Sequence, residues 1–261
     1  MMTVPTPSLF SRIGTLVRRE RQTRFAGGAL GLLWAYLTPL SWIAFVVIVF
    51  RLLGRVPPIY VAPEIFVATG VLPYIIFRQT ITSLGRTLPA NRYLRYIKPV
   101  DENELLMASA ISELINAFIM SAMVFLLLTT VFGIPGPHQL GGVAFVFGVA
   151  WFLASGVGRL FAAIGRASDS FARAVPILLR PMFWLSGIFY TATELPGSVQ
   201  DILWYSPTFQ VTELLREAYF IGYTSPISDL YYPLLFGGIC FALAFPIEKA
   251  ILKNGLSRER L

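Results

Sequence analysis

The sequence predicts an all-α, polytopic membrane protein with six transmembrane helices, an N-terminal interfacial helix and two short outer re-entrant helices before the last span. Three observations predict it. Of 261 residues, 56% are hydrophobic and only 13% charged, and the mean hydropathy is +0.67, which leaves too little polar surface for a water-soluble globule. The apolar residues gather into runs long enough to cross roughly 30 Å of hydrocarbon. The charges gather into a few short blocks between those runs.

The first element lies in segment 1–29. Leu9, Phe10, Ile13, Leu16 and Val17 fall on one helical stripe, while Ser11, Arg12, Thr15, Arg18 and Arg19 occupy the other face, the pattern of a helix lying in the membrane interface with arginines at headgroup level. A basic flank that only fixes the orientation of the first span explains the same arginines. Pro5 and Pro7 precede the stripe, and the apolar run ending at Arg51 lacks a small-residue cleavage pattern. It reads as a retained first span rather than a secretory signal.

Six spans follow, at about 30–50, 65–84, 105–132, 143–164, 174–190 and 231–247. An even number puts both termini on one side. Lys and Arg number five in 1–29, four in 85–104, four around the fourth and fifth spans (Arg159, Arg166, Arg173, Arg180) and four from 248 onward, against Arg51, Arg55 and Arg216 on the opposite side. Cytoplasmic loops retain such residues, so both termini are expected in the cytoplasm.

The block "NRYLRYIKPVDENELL", Asn91–Leu106, separates the second and third spans. Pro89 and Pro99 bracket a short segment in which Asn91, Arg92, Arg95 and Lys98 share one helical face and Tyr93, Leu94, Tyr96 and Ile97 the other. Such a basic helix with an aromatic face suits docking into a cleft on a soluble partner. Asp101 and Glu104 have the spacing of a capping box that starts the third span.

About forty residues, 191–230, separate the last two spans and are too apolar for a simple loop. Leu195–Trp204 is one short segment. Ser206-Pro207 is a good helix start and Gly222 a good stop. Within that second helix Val211, Leu214, Leu215 and Ala218 form a stripe, with Glu213, Arg216 and Glu217 away from it. The favoured reading of those three charges is a solvated face. No repeat or soluble domain interrupts 1–261, which reads as one membrane domain.

Little enzyme chemistry is visible. There is no Gly-Lys pair and so no phosphate-cradling P-loop; ATP hydrolysis by this chain is excluded. The single histidine, His138, sits in a Pro-Gly-Pro-His turn and excludes His-Glu-x-x-His zinc chemistry. The single cysteine, Cys240, rules out an intrachain disulfide. No cofactor or metal is expected on the chain, and no nucleic-acid partner.

Ionisable groups inside spans are functional hypotheses by default. Arg159 and Arg180 lie near span ends, where snorkelling to the interface suffices as an explanation. Arg78 lies deeper, and either snorkels or pairs with Glu113. Aromatics are abundant at 14%: Trp34, Tyr36, Trp42, Tyr74, Phe77, Trp151, Phe152, Phe183, Trp184, Phe189, Tyr190, Trp204 and Tyr205. They are either interface belts or a surface on which sugar rings stack by their C–H faces.

The order of elements, with "GALGLLWAYLTPL" (Gly28–Leu40), "NRYLRYIKPVD" (Asn91–Asp101), "SGIFYTATELP" (Ser186–Pro196) and "YSPTFQVTELLREAYFIGY" (Tyr205–Tyr223), resembles the membrane subunit of ABC-2 type exporters, most closely the capsular polysaccharide branch. Ser206-Pro207 departs from the Asn-Pro often found there, and both pairs cap a helix. The resemblance implies a bacterial inner-membrane permease, a homodimer bound to two copies of a separate ABC ATPase that carries ATP and Mg. The cargo it implies is lipid-linked polysaccharide, with a periplasmic co-polymerase and an outer-membrane export protein as further partners. It implies ATPase coupling through Arg92, Tyr93, Arg95, Tyr96 and Lys98 in loop 86–104. A channel would be lined by Trp34, Tyr36, Trp42, Tyr74, Phe77, Arg78, Phe183, Trp184, Phe189 and Tyr190, and Arg12, Arg18, Arg19 and Arg180 would meet lipid headgroups or a gate.

Other readings are an exporter of O-antigen or another surface polysaccharide, a secondary transporter, and a membrane enzyme of lipid-sugar metabolism. The secondary transporter needs coupling-ion sites and usually paired repeats, and neither is visible. The enzyme would need a carboxylate pair such as Glu213 and Glu217, one turn apart on a helix.

Overall fold

In hydrocarbon every backbone polar group must be satisfied within its own segment, so apolar runs free of turn residues become long helices. The computed structural model describes residues 8–24, 28–93 and 101–253, with the side chains of residues 24, 28–36 and 252 outside that description. The helices are α1 (Leu9–Arg24), α2 (Gly28–Leu52), α3 (Pro63–Ala90), α4 (Glu102–Phe132), α5 (Leu140–Ala167), α6 (Asp169–Leu178), α7 (Pro181–Leu185), α8 (Gly197–Trp204), α9 (Pro207–Tyr219) and α10 (Tyr231–Lys253). A 3-10 turn, Ala192–Glu194, precedes α8. Among the described residues there is no strand.

Among the described residues four helices, α3, α4, α5 and α10, are long and apolar enough to cross a membrane. α2, at 25 residues, has the length of a further span and is apolar through Leu37–Leu52. The segment expected as the fifth span, 174–190, is not one helix. It divides into α6 and α7, of ten and five residues. The proline ring of Pro181 bars continuation through Arg180, and Gly187, at φ 75°, turns the chain back in a conformation that suits glycine.

α3 is the central helix, packed against α2, α4, α5, α6 and α9. Its Phe66, Leu72, Ile76 and Ile81 join Val46 and Phe50 of α2, Leu153 of α5 and Leu215 of α9 in the main core. α5 and α10 meet where glycines allow backbones to touch, as small residues do in membrane bundles. A Cβ on Gly156 would lie 2.1 Å from the Gly237 carbonyl oxygen.

Two sequence expectations need correction around the loop after α3. Pro89 does not end α3, which runs through it to Ala90. Asn91 closes the helix, its backbone N–H and its Nδ2 both donating to the Thr87 carbonyl. Asp101 does cap α4, accepting from the Asn103 N–H at 3.1 Å, but the reciprocal half of the box is missing because Glu104 pairs with Arg12 of α1 at 3.1 Å. Residues 94–100, including Arg95, Tyr96 and Lys98, lie outside the described residues.

The other terminal signals behave as expected. Ser206 accepts from the Phe209 N–H and Pro207 opens α9. His138 is a turn residue whose N–H donates to the Tyr219 carbonyl at 3.0 Å.

Candidate functional site

Five of the sugar-stacking candidates, Trp42, Tyr74, Phe183, Trp184 and Phe189, gather into one cluster beside α3. Phe183, in α7, is the hub: its ring centroid lies 5.3 Å from that of Trp42, 5.2 Å from Tyr74, 5.7 Å from Trp184 and 5.6 Å from Phe189. Trp184 stacks on Phe189 at 5.0 Å and 17°, and Phe189 continues onto Phe50. Breaking the helix at Arg180-Pro181 makes this arrangement, because a continuous helix would spread positions 183, 184 and 189 along its length. Trp42 and Trp184 keep exposed faces while Tyr74 is buried and donates to the Leu179 carbonyl.

The remaining channel candidates are placed differently. Phe77 is buried in the core. Tyr190 turns toward α9, packing on Phe209 and donating to the Trp184 carbonyl at 2.8 Å. Arg78 is half-buried, its Nε sealed without a hydrogen-bond partner. The side chains of Trp34 and Tyr36 lie outside the described residues.

Directly behind the aromatic wall is an ion pair that contradicts the solvated-face reading of α9. Glu213 and Arg216 are both fully buried, 3.0 Å apart. Arg216 donates Nη1 to the Tyr190 carbonyl at 2.8 Å and Nη2 to the Gly187 carbonyl at 2.7 Å, with its guanidinium 4.2 Å from the Phe66 ring centroid. Glu213 Oε2 accepts from the Tyr223 hydroxyl at 2.6 Å and from the Ala192 N–H at 3.3 Å. Burial first, then the Glu213 carboxylate, push the Tyr223 phenol well above its ordinary range, so it remains a donor. Glu217 is engaged elsewhere, accepting from the Ser225 N–H and the Ser228 hydroxyl. Sealed and neutralised, Glu213 cannot partner Glu217 as an acid–base pair facing water.

This cluster anchors the turn that carries the wall. Arg216 holds the carbonyls on either side of Ile188 and Phe189, which a broken helix leaves without intrahelical partners. Nearby, Arg51 pairs with Glu64 and so ties α2 to α3, and Arg55, just past α2, pairs with Glu194 at 3.7 Å.

The opposite end of the bundle carries a second set of ion pairs. Glu102 takes both ends of the Arg166 guanidinium, at 2.6 and 3.2 Å. Arg159 does not snorkel: it is buried, bonded to Asn103 and to Glu248 at 3.1 Å, and covered by the Phe241 and Phe245 rings. With Glu104 on Arg12, three consecutive residues tie α4 to α5 and α1, and Arg159 of α5 in turn reaches Glu248 of α10. Arg19 bonds Asn91 and the Tyr93 hydroxyl, while Arg18, Arg92 and Arg180 are exposed.

An apolar bundle with an aromatic wall and an amphipathic first helix has the parts of a permease, and comparison with known proteins agrees. The profile of the ABC-2 type transporter family matches residues 11–220. The chain belongs to that family. This permease is 29% identical over 231 residues to the polysialic acid transport protein KpsM of Escherichia coli, covering 86% of this chain and 87% of that protein. It is 26% identical over 212 residues to the capsule polysaccharide export inner-membrane protein BexB of Haemophilus influenzae, covering 80% and 78%. The inner-membrane protein CtrC of Neisseria meningitidis serogroup B is 25% identical over 218 residues, covering 82% of each chain.

Proposed function

We propose that this chain is the inner-membrane permease subunit of an ATP-driven exporter of lipid-linked capsular polysaccharide. The observation that carries the reading is the aromatic wall of Trp42, Phe183, Trp184 and Phe189, whose flat apolar faces suit passing sugar rings. The capsule-export relatives, aligned over about four-fifths of the chain or more, supply the cargo class.

Family membership implies an ABC ATPase partner. The working unit is a homodimer of this permease with two such ATPases, which hold the ATP and Mg; this chain binds neither. Both termini and loop 86–104 face the cytoplasm. A periplasmic co-polymerase and an outer-membrane export protein complete the path. Closure of the ATPases pushes on the segment after Pro89, and α3 and α4 carry that movement to a pore between protomers lined by α2 and the 174–190 segment.

Replacing Arg92 and Arg95 together with Glu tests this. The variant is expected to reach the membrane folded and to lose polysaccharide export while the ATPase still hydrolyses ATP. Normal export by that variant would sink the docking role, and export persisting without any ATPase would identify a secondary transporter.

A further inference from the structure

A cavity of about 440 Å³ lies at the end of the bundle remote from α1, where the turn after α4, the last turn of α9 and the loop after it come together. Its frame is fixed by hydrogen bonds of its own. The Tyr219 hydroxyl donates to the Pro135 carbonyl at 2.9 Å, and the His138 and Gln139 N–H groups donate to the Tyr219 and Ala218 carbonyls, each at 3.0 Å. Opposite them Gly222, at φ 77°, turns the chain so that Phe220 and Tyr223 both line the cavity.

The polar side chains of the lining have hydrogen-bonding capacity to spare. Glu217 Oε1 accepts from the Ser225 N–H and the Ser228 hydroxyl, both at 2.7 Å, which leaves Oε2 without a donor from the described residues. The His138 ring, the Gln139 amide and the Thr224 hydroxyl likewise make no hydrogen bond to any described residue. Leu214, Phe220 and Tyr223 supply the apolar part of the wall.

Charge and donor–acceptor balance decide what fits. No lysine or arginine lines the cavity and Glu217 is its one carboxylate, so a phosphate or an acidic sugar would meet repulsion. An ammonium would suit Glu217, but it only donates and would leave the Gln139 amide N–H groups unpaired. A hydroxyl both donates and accepts, so a molecule with several of them satisfies carboxylate, amide and threonine together. The C–H face of a pyranose ring packs on apolar and aromatic side chains, and the volume falls within the range of small-molecule sites, about 300–1,000 Å³.

We propose that this cavity binds one uncharged pyranose unit of a glycan, with its hydroxyls on Glu217, Gln139 and Thr224 and its apolar face against Leu214 and Tyr223. Under the proposed function this is the outer end of the permease, and a sugar unit held there opposes back-sliding of the emerging chain. That role rests on the export reading, whereas the binding does not.

The test uses the purified full-length chain in a polyoxyethylene detergent, whose head carries no sugar, titrated with maltotriose and with chitotriose and followed by saturation-transfer NMR and calorimetry. Saturable binding of at least one of them is expected. Glu217→Gln keeps an acceptor for Ser225 and Ser228 but removes the charge, and weakens binding by about tenfold, the size of a lost charge-assisted contact. Gln139→Leu, at an exposed position where folding is not at stake, also weakens it, and Asp201→Asn on the exposed side of α8 leaves it unchanged. Trisialic acid and tetralysine, as acidic and cationic comparators, bind at least about tenfold more weakly. Absence of saturable binding by both neutral trisaccharides overturns the proposal, as does equal or tighter binding of trisialic acid or tetralysine. Unchanged affinity in both Glu217→Gln and Gln139→Leu overturns the site. No ATPase or cargo is present, so failure here leaves the export reading standing.

Discussion

Arg216 and Glu213 lie 3.0 Å apart with both side chains wholly sealed from solvent, and between them they fix the turn on which Phe189 stands. The guanidinium occupies the carbonyls of Gly187 and Tyr190 while the carboxylate occupies the Tyr223 hydroxyl and the Ala192 N–H. Under the proposed function the aromatic surface has to keep its shape as a polymer slides along it, and this pair supplies the rigidity from behind.

Removing one partner leaves a buried charge without compensation, at about 3–5 kcal/mol. Glu213→Gln is therefore expected to destabilise the folded permease by that amount in denaturant titrations of the purified protein. The double variant Glu213→Gln with Arg216→Met removes both charges and loses less than the single one. Equal losses would assign the effect to the backbone carbonyls rather than to the ion pair.

Charge exchange tests the brace at the other end. Glu102 receives Arg166 through two hydrogen bonds, and such charged bonds contribute about 1.5–3 kcal/mol each. Glu102→Arg should lower the amount of folded protein in membranes, and adding Arg166→Glu should restore it, as measured by detergent extraction and size-exclusion profile.

Wall residues separate transport from stability. Trp184 is 63% exposed and stacks on Phe189 along one face only, so Trp184→Ala should leave thermal stability nearly intact. Each lost aromatic contact is worth about 0.5–1.5 kcal/mol, which translates into a fall of up to about tenfold in export. Phe183→Ala, by contrast, removes the hub of the cluster and should lower stability as well.

Tyr223 gives a pH signature. Its folded-state pKa is raised from the ordinary 10.0, so the folded protein holds the phenolic proton more tightly than the unfolded chain does. The associated stability is complete below pH 10.0 and declines as pH rises above that value. Tyr223→Phe, which has no proton to lose, should show a flatter stability profile across the alkaline range. A profile identical to that of the unsubstituted protein would remove Tyr223 from the Glu213–Arg216 cluster.

The long helices, the caps at Asp101 and Ser206 and the aromatic candidates were legible because each depends on local pattern. Hydropathy marks spans, a serine before a proline marks a helix start, and ring-bearing residues name themselves. What escaped depends on partners distant in sequence. Arg159 near a span end looks free to snorkel until Glu248, 89 positions later, is folded against it. Glu213 and Arg216 sit opposite the apolar stripe of α9 and so read as solvated, yet that polar face meets Phe66 and the 187–192 turn. The break at Arg180-Pro181 had its signal in the proline itself, which was outweighed by the length of the apolar run around it.

The α5–α10 contact allows the sharpest steric prediction. A Cβ at Gly156 would sit 2.1 Å from the Gly237 carbonyl oxygen, and one at Gly237 would sit 2.9 Å from the Leu153 Cα. Backbone atoms cannot swing aside as a flexible side-chain end does, so either substitution must push the two helices apart. Overpacking of this kind costs about 1–3 kcal/mol, and Gly156→Val should exceed Gly156→Ala. Gly148, on the same helix with nothing within 4 Å of its Cβ position, is the control: Gly148→Ala should hold or raise stability through better helix propensity. Thermal unfolding followed by size-exclusion fluorescence distinguishes the cases, and equal behaviour of Gly148→Ala and Gly156→Ala would mean that α5 and α10 do not meet at this crossing.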